Sequence, residues 1–341
     1  MDRRQFRLTF TTCFLVCYSV MICGCFEVSE GGSGATERLS TKNEVAANLN
    51  IDSLDNDCPN VFSNFHEWEG TEATEAKLLT MSAECRNQLT EVGLRQSFSD
   101  KSMEALAGAD QIQNLSLADN TRISEQGLLK MGTLESLKGF TYIAPRHNLP
   151  HDVWTQPSLT KNVFDQLVRL EHLEGFFISS DLLKDNLFES LKDFPSLKKI
   201  VIHGQSSLTK ETLRHIAQVE QLQELSFRAK DWNGSGLRYL AKLPHLRKLV
   251  LDGNAIDDQS LAEISQLQQI HELDLGETQI NDAGMPAVGR LKNLRVLHLD
   301  NTGVTIQSLP IIKQLKHLDR LATDRTLDDA LFQSYMRTKT D

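Results

Sequence analysis

From residue 112 onward, apolar residues recur as L-x-x-L-x-L about every 24 residues. The units begin at Ile112, Leu137, Leu173, Leu197, Leu222, Leu246, Ile270 and Leu294, and a truncated one, Leu318/Leu321, closes the series. Alternation inside each unit, as in Leu273-Asp274-Leu275, is the period-two signature of a strand with one buried face. A wider pattern follows. Residues with a side-chain oxygen that can accept from the open N–H groups of a helix's first turn stand at Ser99, Ser124, Thr160, Thr209, Asn233, Asp257, Asn281 and Thr305. Lys184 alone breaks this rule, one position before Asp185. Apolar residues then come four, seven and ten positions later, as in Leu261/Ile264/Leu267, Met285/Val288/Leu291 and Leu309/Ile312/Leu315. That is helical spacing, so each unit predicts a short strand, a turn and a helix of about three turns.

Successive units start 25, 36, 24, 25, 24, 24, 24 and 24 residues apart. The one outlier equals a period plus an insertion of 12, placed within 143–158. No unit of this size buries its apolar face alone, so stacked neighbours must supply a continuous core. The prediction is an α/β solenoid, with a parallel sheet on the concave side and helices on the convex side. Open ends need atypical covering units. Residues 58–95 depart from the period, with Thr74 to Cys85 reading as helix and Leu89/Val92/Leu94 as a degenerate first strand. They are expected to form the N-terminal cap. Leu327 to Met336, with Asp328 as its cap, reads as a closing helix within a C-terminal cap over 326–341.

The consensus L-x-x-L-x-L-x-x-T/N-x-I-x-D-x-G-L is carried best by Leu273 to Met285 and by Leu115-Ser116-Leu117-Ala118-Asp119-Asn120. It resembles the bacterial leucine-rich repeat family with helical convex sides, over residues 96–325. The resemblance implies a leucine-rich repeat solenoid, a horseshoe whose function is to present a surface. Members of that family bind proteins, peptides and glycans through no shared site. Asp181, Gln205 and Lys230 replace the usual Asn or Thr, and those repeats are expected to turn differently.

The N-terminus reads as an address. Arg3, Arg4 and Arg7 precede the apolar run Leu8 to Ile22, the layout of an export signal. The run ends in Ile22-Cys23-Gly24-Cys25, which resembles a bacterial lipobox of the kind found in envelope-rich bacteria such as planctomycetes. The resemblance implies removal of residues 1–24 and lipidation of Cys25. Ile22 stands where Leu is usual, and Cys23 is an uncommon neighbour. A plain cleaved signal or an uncleaved anchor are the alternatives. Residues 25–57, with Gly-Gly-Ser-Gly and few large apolar side chains, read as a flexible tether. Of the six cysteines, Cys13, Cys17 and Cys23 would leave with the signal and Cys25 would carry lipid. Cys58 and Cys85 remain, as a disulfide in an oxidising compartment or as two buried thiols. The expected location is the bacterial cell envelope, exported and membrane-anchored.

Charge excludes one class of partner. The chain carries −10 at neutral pH. Removing residues 1–24, with one Asp and three Arg, leaves 33 basic and 45 acidic residues, or −12. Such a surface has no attraction for nucleic acid or anionic lipid, so membrane contact is expected through the lipid anchor only. No Walker loop, dinucleotide fingerprint, Cys-x-x-Cys or nucleophile elbow occurs. His147 and His151 have the i, i+4 spacing of metal ligands, but Pro150 lies between them without a carboxylate motif. His215, His245 and His317 sit among polar positions, and Asn114-Leu115-Ser116 and Asn233-Gly234-Ser235 match a glycosylation sequon that a strand and a helix cap explain equally well. We therefore assign no catalytic residue, metal or cofactor.

The informative residues should be those pointing off the concave strands. By alternation these are Ser116, Thr141, Phe177, Val201, Ser226, Val250, Asp274, His298 and Ala322, with a second row through Ala118, Ile143, Ser179, His203, Arg228, Asp252, Gly276, Asp300 and Asp324. One half is apolar around Thr141, Ile143, Phe177 and Val201. The other is acidic around Asp252, Glu272, Asp274, Asp300 and Asp324. Exposed aromatics beside aliphatics are typical interface anchors. The expected partner is a protein or peptide, and the candidate contacts are Ile143, Trp154, Phe177, Val201, His203 and Arg228. The alternative is an envelope enzyme with a site in the insertion, using His147, His151 and Asp152. A simpler role for the insertion is to cover the apolar patch.

Overall fold

The computed structural model describes residues 72–95, 98–118, 122–144, 159–204, 208–229 and 231–323, with side chains from 75 onward. All of them lie in the unit Cys58–Asp341. The lipidation position Cys25, the tether, Cys58, most of the insertion (including His147, His151, Asp152 and Trp154) and the C-terminal cap fall outside the described residues.

Among the described residues ten strands run in chain order, each hydrogen-bonded to its sequence neighbours. They are β1 (Glu91–Leu94), β2 (Asn114–Ala118), β3 (Gly139–Ile143), β4 (Gly175–Ser179), β5 (Lys199–His203), β6 (Glu224–Arg228), β7 (Lys248–Val250), β8 (Glu272–Asp274), β9 (Val296–His298) and β10 (Arg320–Ala322). Every pairing is parallel. The central apolar residue of each strand faces its equivalent: Leu115 pairs with Phe140, Phe140 with Phe176, Phe176 with Ile200, and so on to Leu297 with Leu321. The register passes unbroken from β3 to β4 although 12 extra residues connect them. A one-residue slip would turn every leucine out of the core, so burial enforces this alignment. The chain is a leucine-rich repeat solenoid, and the expected degenerate strand around Val92 is its first, β1.

The inward residues form one contiguous core, with Leu115, Phe140, Ile200, Leu249, Leu273 and Leu297 nearly or fully buried. Around the insertion the filling is aromatic. Phe164 meets Phe176, Phe188 and Phe194 edge-on at 5.7, 5.9 and 5.5 Å, the arrangement ring quadrupoles favour.

The helical segments depart from the expected three turns. Asp185–Asp193 and Leu237–Lys242 are wholly 3-10 helix, and Asp258–Leu261 is α-helix for one turn before it tightens into 3-10 over Ala262–Gln266. The cause is width. Strands stack about 4.8 Å apart, whereas an α-helix with side chains is about 10 Å across. Short, narrow turns let the covering layer follow the sheet. Two predicted caps also shift. Asn233 and Asn281 accept from Ser235 N–H and Ala283 N–H instead, and their helices start after Gly236 and Gly284.

A second regularity links the repeats. An acid near the start of one helix accepts from the residue that opens the helical segment of the next repeat. Glu75 accepts from Ser99 N–H and Oγ–H at 2.7 and 2.6 Å, and Asp100 does so from Ser124 at 2.7 and 2.6 Å. Asp185 takes Thr209 at 2.9 and 2.7 Å, and Asp282 takes Thr305 at 2.9 and 2.5 Å. Ser102, Thr212 and Ser308, polar yet buried, donate to the same carboxylates. Where the consensus has Gly, it leaves room: a Cβ on Gly284 would meet Asp258 Oδ1 at 2.5 Å. This ladder satisfies open helix N–H groups and explains the D-x-G of the consensus.

At the N-terminal end the expected helix is broken in two, Glu72–Thr80 and Ala83–Arg86, because Ser82 caps the second by accepting from Cys85 N–H. Cys85 is disulfide-bonded. It is the single cysteine among the described residues. Among the described residues no helix is long and apolar enough to cross a membrane.

Candidate functional site: the open face of the sheet

Strand alternation puts three rows of side chains on the face away from the helices. The middle row runs Ser116, Thr141, Phe177, Val201, Ser226, Val250, Asp274, His298 and Ala322, each paired in register with the next. Ala118, Ile143, Ser179, His203 and Arg228 form the second row. The outward positions are therefore those the sequence indicates, but their exposure differs. Ile143 and Phe177 are half-buried. Val201 and His203 keep only 9 % and 6 % of their surface, so they offer a partner almost nothing directly. Ser116 and Ala118 are likewise buried. The face is packed sideways as well as inward.

His203 shows why. Its ring lies edge-on to Phe177 at 5.6 Å, and its Nε2 is 2.6 Å from Ser226 Oγ. Burial, reinforced by Arg228, pushes its pKa down to about 4, so the ring is neutral at physiological pH. Phe177 thus rests on a base of Val201, its register partner on β5, and His203, which pairs with Ser179. A half-buried ring on a rigid base is a pre-organised contact.

Arg228 is the hinge between the two halves. Its guanidinium reaches Asp252 at 3.4 Å and Glu277 at 3.1 Å, bridging to two further repeats. The arrangement demands Gly253, whose absent Cβ would stand 1.8 Å from Arg228 Nη2 and whose φ is +65°. Glu277 occupies the equivalent turn position with φ +56°, and Asn301 with +54°. A Glu in the left-handed region is uncommon, and its bond to Arg228 compensates.

Acidic groups crowd the following repeats. Burial, with the charges of Asp274 and Glu277, raises Asp252 to about 6 against the pull of Arg228. Burial also raises Asp274, aided by Asp300 and Glu272, although Gly276 N–H donates to it at 2.9 Å and His298 opposes the shift. Glu272 is less free than its sequence suggests. It pairs with Lys248 at 2.5 Å, and Lys199 pairs with Glu224 at 2.9 Å, so four adjacent strands carry alternating charge along the third row. Of this row only Glu272 stood out in the sequence, although Lys199, Glu224, Lys248 and Glu272 all immediately precede the middle apolar residue of their strands. Among the described residues no group of three or more His, Cys, Asp or Glu is placed to hold a metal.

No protein-family profile matches the chain, and neither does any curated protein. Solved structures do. Internalin C2 from Listeria monocytogenes is similar at 14 % identity and a TM-score of 0.40, over 74 % of this chain and 92 % of that one. An internalin from the same organism aligns at 16 % identity and a TM-score of 0.33, over 73 % and 93 %. The plant peptide hormone receptor RGFR1, in complex with RGF2, aligns at 17 % identity and a TM-score of 0.39, over 70 % of this chain and 40 % of its own.

Proposed function

We propose that the protein is a non-enzymatic binding scaffold that holds a protein or peptide against the open face of its sheet. The observation that carries this reading is the face itself. Ten parallel strands in unbroken register display a continuous strip of side chains, with Phe177 and Arg228 both half-buried and braced. Ile143, Phe177 and Arg228 are the contacts we assign on this strip, with Val201 and His203 as their support. Trp154 extends the set from the insertion, whose ends leave and rejoin the solenoid at Ala144 and Leu159. Lipid attachment at Cys25 and a Cys58–Cys85 disulfide complete the proposal, placing the scaffold on a membrane of the bacterial cell envelope. An enzymatic site at His147, His151 and Asp152 is the alternative reading of the insertion.

Crosslinking in cell-envelope extracts, followed by affinity measurement with the captured protein, tests the binding reading. Trp154→Ala and Phe177→Ala are each expected to weaken binding by about 2 kcal/mol, roughly thirtyfold, with thermal melts little changed. Lowered melting temperature with unchanged affinity would make both residues structural and overturn the site.

A further inference from the structure

A reactive turn lies outside the binding face. Asn233 is the one asparagine followed by glycine in the whole chain, and it stands exposed in the turn between β6 and the 3-10 segment Leu237–Lys242. Its side-chain Oδ1 accepts from Ser235 N–H at 3.2 Å, which draws electron density away from the amide carbon. Among the described residues nothing accepts from Gly234 N–H, so the amide nitrogen adjoining that carbon is not committed to secondary structure. Gly234 has φ +92° and carries no Cβ to hinder approach.

We propose that Asn233–Gly234 is a site of spontaneous deamidation in the folded protein. The Gly234 nitrogen gives its proton to solvent base and attacks Asn233 Cγ. A C–N bond closes a five-membered succinimide, and the side-chain nitrogen leaves as ammonia. Water then opens the ring at either carbonyl, leaving Asp or isoaspartate, so the sum is amide plus water to acid plus ammonia. Either product places a second carboxylate in a turn that already carries Asp231. Isoaspartate also inserts a methylene into the backbone between two repeats whose spacing is otherwise fixed.

The fold supplies internal controls. Asn281 is also exposed and makes the same local bond, accepting from Ala283 N–H at 2.9 Å, but it is followed by Asp282, whose side chain hinders ring closure. Asn254 is buried, and its side chain donates to Phe227 O and Leu251 O and accepts from Ala229 N–H. The reaction should therefore order the three sites as Asn233, then Asn281, then Asn254.

The test is incubation of the folded full-length protein at neutral and mildly alkaline pH, followed by peptide mapping. Trypsin cleavage after Lys230 and Arg238 releases residue 233 on a short peptide. Amide-to-acid conversion at Asn233 is expected about tenfold faster than at Asn281, faster at the higher pH, and yielding both aspartate isomers. Gly234→Ala should bring the rate down to that of Asn281. Because that variant puts a Cβ at a φ of +92° and strains the turn, Asp282→Gly provides the converse and should raise conversion at Asn281. Equal rates at the two sites in the native protein, or conversion at Asn233 only after unfolding in urea, would overturn the proposal.

Discussion

His203 and Asp252 pull the pH dependence of stability in opposite directions. Burial and Arg228 lower His203 to about 4, below its unfolded value, so the unfolded chain binds the proton first. The associated stability is present above the ordinary histidine value of about 6.5 and lost as pH falls towards 4. Burial and neighbouring carboxylates raise Asp252 to about 6, so there the folded state binds first and stability rises as pH falls from 6 towards the ordinary aspartate value of about 4. The two nearly cancel. Thermal melts of the wild type should change little between pH 7 and 4.5, by these two groups, whereas Asp252→Asn should lose stability over that range and His203→Gln should gain it. Parallel profiles for the two variants would show that these groups do not titrate as their surroundings dictate. Below this window the ladder takes over. Hydrogen bonds from Thr212 and Thr209 outweigh burial and hold Asp185 below its ordinary value, and those from Ser308 and Thr305 do the same for Asp282. Their contribution disappears as pH falls through those depressed values.

At the scale of elements, each strand is a test of register. Leu273 is fully buried in β8, while the Asp274 side chain points to the open face and accepts from Gly276 N–H. Leu273→Ala should cost about 2–5 kcal/mol by leaving a cavity in a core that stacking cannot close. Asp274→Ala should change stability by less than about 1 kcal/mol, since it removes a bond and a crowded charge together. Denaturant melts of the pair check this, and comparable losses would be incompatible with the observed alternation. The strands were legible because a period of two and a repeat of 24 leave one self-consistent alignment. The helices were legible in position but not in kind. Apolar spacing fixes which residues face the core, while the choice between α and 3-10 depends on how closely neighbouring repeats must pack. The same holds for caps: Asn233 and Asn281 are suitable residues, yet Gly236 and Gly284 begin their helices instead.

At the scale of the whole molecule, the proposed anchor and disulfide make one joint prediction. Intact-mass measurement of the exported protein without reductant should show a chain beginning at a lipid-modified Cys25, with Cys58 and Cys85 resistant to alkylation. The bridge would close a loop of 27 residues, which chain-entropy reasoning values at about 3–4 kcal/mol. An unmodified Cys25, or two alkylatable thiols, would count against the corresponding half. By itself the sequence determined the repeat, the parallel order of the strands and which side chains leave the sheet on its open side, because these follow from short-range periodicity that a chain cannot satisfy in two ways. It could not determine what those side chains do once neighbours from other repeats surround them. Phe177 and Val201 were legible as an outward apolar pair, but the burial of Val201 and the neutral His203 beneath the ring depend on β4, β5 and β6 lying side by side. Arg228 reaches across Gly253 to Glu277, a contact 49 residues long in sequence. Only tertiary structure decides such a contact, since periodicity fixes a residue's direction whereas charge and exposure are set by whatever the fold brings alongside.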